Sequence, residues 1–173
     1  MAITLFPDGR ILHNGVEVAS DKMHDQWVIE SDVGVTSGTL TTWQRSSISD
    51  AAPYLTGMTH SSGIFTFPKT GVYRVAFRFG YYKSDYRRYV GALMQLSTNS
   101  GGSYFDIGRN YTHLYDTDSN NTYNNSSVFC HIDVQNASTY RMRFQCVAQA
   151  EVTVYAANDD VRTLVQFERI SGT

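Results

Sequence analysis

Large apolar residues alternate with smaller or polar ones through much of this chain. Successive Cβ atoms of a strand point to opposite faces of its sheet, so this alternation marks half-buried strands. It is clearest over residues 71–82, where Tyr73, Val75, Phe77, Phe79 and Tyr81 share one face. Arg74 and Arg78 share the other with Val72, Ala76, Gly80 and Tyr82. The same reading groups Val90, Ala92, Met94 and Leu96, then Val128, Cys130, Ile132 and Val134, then Tyr140, Met142, Phe144, Cys146 and Ala148. Near the end, Val161, Val165 and Phe167 share a face. Between these runs lie STNSGG, TDSNNTYNNSS, DVQNAST and AANDD, whose Asn, Asp, Ser and Gly stabilise turns locally. Closely spaced strands with few helix-like periods predict an all-β fold, an antiparallel sandwich or barrel rather than βαβ units.

The start of the chain reads differently. ILHNGVEV carries Asn14-Gly15, a pair that favours a tight type I′ turn between short strands, and FPDGR before it is another turn. Residues 1–24 are expected to form a small β arm, with Leu5, Phe6, Ile11 and Leu12 as docking residues, ahead of a main domain over 25–173. SDKMHDQW suggests a short helical turn capped by Ser20, with Trp27 and Ile29 beginning the first strand of the sandwich.

Composition narrows the classes. At 173 residues the chain is one domain, long enough to bury a core without disulfide or metal staples. It has 14 basic and 16 acidic residues and no long run of either sign, so no nucleic-acid or anionic-membrane footprint is present. The 12 Tyr and 9 Phe, against only 17% charged residues, suit strands and contact surfaces better than solvated helices. No stretch approaches the roughly 18 to 20 apolar residues of a membrane span. MAITLFPDGR lacks a basic region followed by an apolar one, so a cytosolic site of synthesis and assembly is expected. On that ground Cys130 and Cys146, each in an apolar run, read as free core thiols; a single bridge is the alternative.

Gly63, Phe65, Pro68, Gly71, Tyr73 and Phe77 stand as G-x-F-x-x-P-x-x-G-x-Y-x-x-x-F. Pro68 fixes φ and withholds a ladder donor where pairing should stop, and Gly71 supplies backbone freedom before the next strand restarts. This pattern resembles the signature region of C1q/TNF-like jelly rolls. The resemblance extends over about residues 25–170, through Trp27, GALMQLS and the closing TLVQFERI, where Thr163, Val165 and Phe167 approximate the family's last strand without its glycine. YLTGMTHSSGIFTFPKTGVYRVAF is similar to C1q-like modules of bacteriophage structural proteins, especially those of marine phages. The resemblance implies an antiparallel β-sandwich of jelly-roll topology that assembles as a homotrimer. It further implies a virion structural protein, made in the host cytoplasm, that decorates a capsid or forms a small fibre knob and docks on a major capsid or tail protein. The alternative is a receptor-binding module of the phage tail that recognises a host-surface glycan or protein.

Two surfaces carry the candidate contacts. Tyr82, Tyr86 and Tyr89 beside Arg87 and Arg88 read as the trimer interface, because Tyr and Arg bury large areas while keeping a polar tip; a solvated loop is the other reading. The segment LYDTDSNNTYNNSS, residues 114–127, reads as a recognition loop through Tyr115, Asp116, Asp118, Asn120, Asn121 and Tyr123, with a mobile turn as the other reading. D-T-D-S-N-N lacks the glycine and terminal glutamate of an EF-hand loop, so no metal is expected, and no cofactor motif occurs. His13, His24, His60, His113 and His131 are scattered, and no hydrolase, zinc or phosphate-loop motif is present, so no enzyme is expected.

Overall fold

The strongest alternation in the sequence becomes the longest strands. The structure, a computed structural model, describes residues 3–5, 11–13, 16–19, 23–47, 56–115, 120–156 and 162–172. Near the N-terminus β1 (Ile3–Leu5), β2 (Ile11–His13) and β3 (Val16–Ala19) form a three-stranded antiparallel sheet. Leu5 pairs with Ile11, Thr4 with Leu12, and His13 with Val16. That last pairing leaves two positions between β2 and β3, the spacing of a tight hairpin. Asn14, Gly15 and Phe6 themselves lie outside the described residues, as do Ser20 and Val161.

The rest of the described residues form a sandwich of eleven strands. In chain order they are β4 (Met23–Ile29), β5 (Val33–Thr39), β6 (Trp43–Arg45), β7 (Thr59–Ser61), β8 (Ile64–Thr66), β9 (Gly71–Lys83), β10 (Arg87–Ser97), β11 (Phe105–Leu114), β12 (Thr122–Val134), β13 (Arg141–Val154) and β14 (Leu164–Ser171). One layer runs β6-β4-β14-β9-β12. The other runs β11-β10-β13, with β5 and the β7–β8 hairpin beside β13. All these pairings are antiparallel, and the end of β13 crosses to β9 through Thr153↔Tyr82 and Val154↔Tyr81, which joins the layers.

The predicted inward faces fill the space between them. Tyr73, Val75, Phe77, Phe79 and Tyr81 from β9 are buried with Val90, Ala92, Met94 and Leu96 from β10 and Met142, Phe144, Cys146 and Ala148 from β13. Phe144 sits at the centre, with ring centroids 5.2 Å from Phe77, 5.5 Å from Phe65 and 5.8 Å from Phe167. Burying each such side chain contributes about 1.5–3 kcal/mol, so this cluster dominates cohesion.

The P-x-x-G segment is a strand break and restart. β8 ends at Thr66, the chain bends through residues 68–70, and β9 begins at Gly71. Gly63 and Gly71 both have positive φ, 83° and 138°, and a Cβ on Gly71 would lie 2.4 Å from the Ser171 carbonyl oxygen. The bend is tied down from two sides. The buried Tyr73 hydroxyl donates to the Lys69 carbonyl (2.9 Å), and Arg169 Nε donates to the Thr70 carbonyl (2.8 Å).

Two expectations are corrected. Residues 23–29 form β4, not part of a helical turn, because the strand is laddered to β14 and β6 and buries Asp25 and Trp27 inward. Residues 114–127 are not one loop: Leu114 ends β11 and Thr122 already begins β12, which pairs with β9 over its whole length. Strand β11 carries no alternation signal, since only Leu114 is buried in it, and it is held by its register with β10.

Candidate functional site

Two outward surfaces present an exposed aromatic ring beside polar groups, Phe129 on one and Tyr123 on the other. The first is the outer face of the β4-β14-β9-β12 layer. Cross-strand partners share a face, so the register sets His24, Glu168, Arg74 and His131 in one row and Gln26, Gln166, Ala76 and Phe129 in the next. Phe129 is 69% exposed, an unusual position for a phenylalanine on a flat sheet. Beside it a shallow cavity of about 240 Å³ is lined by His24, Arg74, Ala76, Gln166 and Glu168. Arg74 and Glu168 pair at 3.6 Å across it.

The second surface is the end of the sandwich where β9, β12 and β13 meet. Tyr82 is paired with Tyr123 in one ladder and with Thr153 in the other, and this register gathers three rings. The centroids of Tyr82, Tyr123 and Tyr155 lie 5.1, 4.7 and 5.8 Å apart. The Tyr82 hydroxyl donates to Asp32 Oδ2 (2.9 Å), while Asp32 Oδ1 accepts from the Ala156 amide (2.8 Å). Bonding to that carboxylate, the largest cause, holds the Tyr82 hydroxyl pKa above the ordinary tyrosine value. The Arg162 guanidinium lies 4.1 Å over the Tyr155 ring.

No known protein family matches the sequence, and no curated protein matches it. Among solved structures, an Eiger TNF from S. frugiperda aligns with a TM-score of 0.70 at 13% identity, covering 88% of this chain and 94% of that one. Murine APRIL, solved at pH 5.0, aligns with a TM-score of 0.63 at 12% identity over 87% of this chain and all of that one. The chain has a TNF-like jelly-roll fold.

On this jelly roll the residues singled out from the sequence separate. Tyr82 joins the three-ring cluster. Tyr86 projects into solvent from the β9–β10 turn. Arg87 is buried inside its own chain, donating to the carbonyls of Glu151 (2.8 and 3.1 Å) and Tyr86 (2.8 Å) and pairing with Asp85. Arg88 is exposed near Tyr89, whose ring packs edge-on against Tyr111 on the outer face of the other layer. Tyr82 and Tyr89 therefore serve different surfaces. From the recognition segment, Tyr115 packs edge-on against His113 at 4.5 Å between ring centroids, and Asn120 and Asn121 are exposed. Asp116 and Asp118 lie outside the described residues. Leu5, Ile11 and Leu12 are placed in β1 and β2.

Phe129 and Tyr155 were not singled out from the sequence. Phe129 falls on the polar side of the β12 alternation, and an apolar residue out of phase was the available signal. Cys130 and Cys146 are separate thiols, and burial pushes their pKa values up to about 11 and about 12. That leaves them poor nucleophiles.

Proposed function

We propose that this chain is a homotrimeric structural module of a bacteriophage virion, made in the host cytoplasm and without enzymatic activity. It decorates the capsid or forms a small fibre knob, docking on a major capsid or tail protein through its N-terminal β arm. The observation that carries self-assembly is the outward face around Phe129. A ring 69% exposed beside a shallow cavity, among side chains of both charge signs (His24, Arg74, Glu168, His131 and Asp133), suits burial against another copy. The TNF-like fold and the likeness of residues 54–77 to phage C1q-like modules support the trimer and the particle. Light scattering at micromolar concentration should give three times the 19.5 kDa chain mass, and Phe129→Asp should shift it toward one. A wild-type mass of 19.5 kDa would sink the trimer.

A second reading, a receptor-binding module for a host-surface glycan or protein, is favoured by the Tyr82–Tyr123–Tyr155 cluster. Labelled protein that adsorbs to emptied capsids and not to host cells supports decoration. The reverse supports the receptor reading.

A further inference from the structure

We infer that the tyrosine end of the jelly roll is a binding site for neutral saccharides, with Tyr123 as the stacking platform and Asp32 as the hydroxyl acceptor. The inference deepens the receptor-binding reading and rests on it. Three features converge there. Tyr123 is 54% exposed although its ring packs against those of Tyr82 and Tyr155, so it offers open, pre-ordered apolar surface. Tyr155 is the less open ring, since the Arg162 guanidinium lies over it.

Asp32 supplies the polar half. Its carboxylate is exposed, yet each oxygen is fixed by one donor, the Tyr82 hydroxyl on one and the Ala156 amide on the other. A carboxylate has about four lone-pair sites, so two remain to accept from a vicinal diol with no ordering cost at binding. An aromatic face beside a rigid acceptor matches a pyranose, which has an apolar C–H face and a rim of hydroxyl donors.

Charge selects the kind of sugar. Asp32 is exposed, Lys83 and Glu151 pair at 3.0 Å, and the Arg162 guanidinium lies over the Tyr155 ring and donates to the Ala156 carbonyl (3.5 Å). A fixed carboxylate at the platform repels sialic and uronic acids, so neutral hexoses are favoured.

The test is saturation-transfer NMR on the full chain with neutral glucose, galactose and mannose oligosaccharides, alongside sialylated and uronic counterparts. Binding to a neutral oligosaccharide is expected, weakened at least about tenfold by Tyr123→Ala and by Asp32→Asn. Both variants should stay folded at the binding temperature, their melting temperatures lowered by no more than a few degrees for the lost ring contacts or weakened hydrogen bonds, and Phe129→Ser should leave binding intact. Failure to bind any neutral member, preference for the acidic ones, or binding indifferent to both variants overturns the inference. Host-cell adsorption without saccharide binding overturns it too, while leaving the receptor reading in place with a protein ligand.

Discussion

Gly71 shows how a single position can be dictated by tertiary contact. Its φ of 138° lies where L side chains are strained, and its missing Cβ makes room for the Ser171 carbonyl and the Arg169 guanidinium. Gly71→Ala should therefore destabilise the fold by about 1–3 kcal/mol, read as a lower urea midpoint at constant slope. A midpoint equal to wild type would mean that the bend is soft. The sequence made this glycine visible, because it follows Pro68 at a fixed spacing and precedes a run of aromatic residues. It did not make Asp25 visible. That carboxylate points inward, fully buried, and is satisfied by Arg45 Nε (2.9 Å), Arg45 Nη2 (3.0 Å) and the Met58 amide (2.7 Å). Its partners lie 20 and 33 positions away, beyond any local pattern.

Among the elements, the contact between β11 and β12 differs from the rest. No ladder joins these two strands among the described pairings, although they lie side by side. Side chains bridge them instead: Asn110 Nδ2 donates to the Ser127 carbonyl (3.0 Å), Asn124 Nδ2 to the His113 carbonyl (2.8 Å), and Ser126 Oγ to the Asn110 carbonyl (2.8 Å). Gly108 keeps this approach close, since a Cβ there would meet Val128 at 2.8 Å. Such bonds are each worth about 0.5–1.5 kcal/mol net. Asn110→Ala with Asn124→Ala should thus raise hydrogen exchange in β11 by about tenfold while β9 and β14 keep their protection. Equal acceleration across all strands would place the loss in global stability instead. This seam also explains why the Asn/Ser-rich stretch reads as a loop from the sequence. Amides that usually stabilise turns here satisfy backbone carbonyls of a neighbouring strand.

For the whole molecule, the half-buried Cys130 and buried Cys146 thiols make stability depend on alkaline pH. Both pKa values are raised above the ordinary 9.0, to about 11 for Cys130 and about 12 for Cys146, chiefly by desolvation, and burial also raises that of Tyr81. The folded chain keeps these protons where an unfolded chain would release them. Their contribution is intact below pH 9 and is lost as pH rises through the window up to about 11 and 12. The melting temperature should decline across that window, and less steeply in Cys130→Ala with Cys146→Ala. A level melting temperature would show that the thiols titrate normally in the fold. At pH 8 both should also react slowly with a thiol reagent until the chain is denatured, Cys130 before the more buried Cys146.

The sequence by itself determined which residues of the long alternating strands face inward and where one strand breaks at Pro68 and Gly71. Alternation is a local record of one-sided burial, and a turn must be written in the residues that make it. It could not determine β11, which buries one residue at its end, or which outward side chains come together. Tyr82, Tyr123 and Tyr155 meet because β9 pairs with both β12 and β13. Phe129 lies beside Ala76 for the same reason. Both candidate surfaces are products of pairing between distant strands, and register across a sheet is settled by packing of the whole core rather than by any one segment.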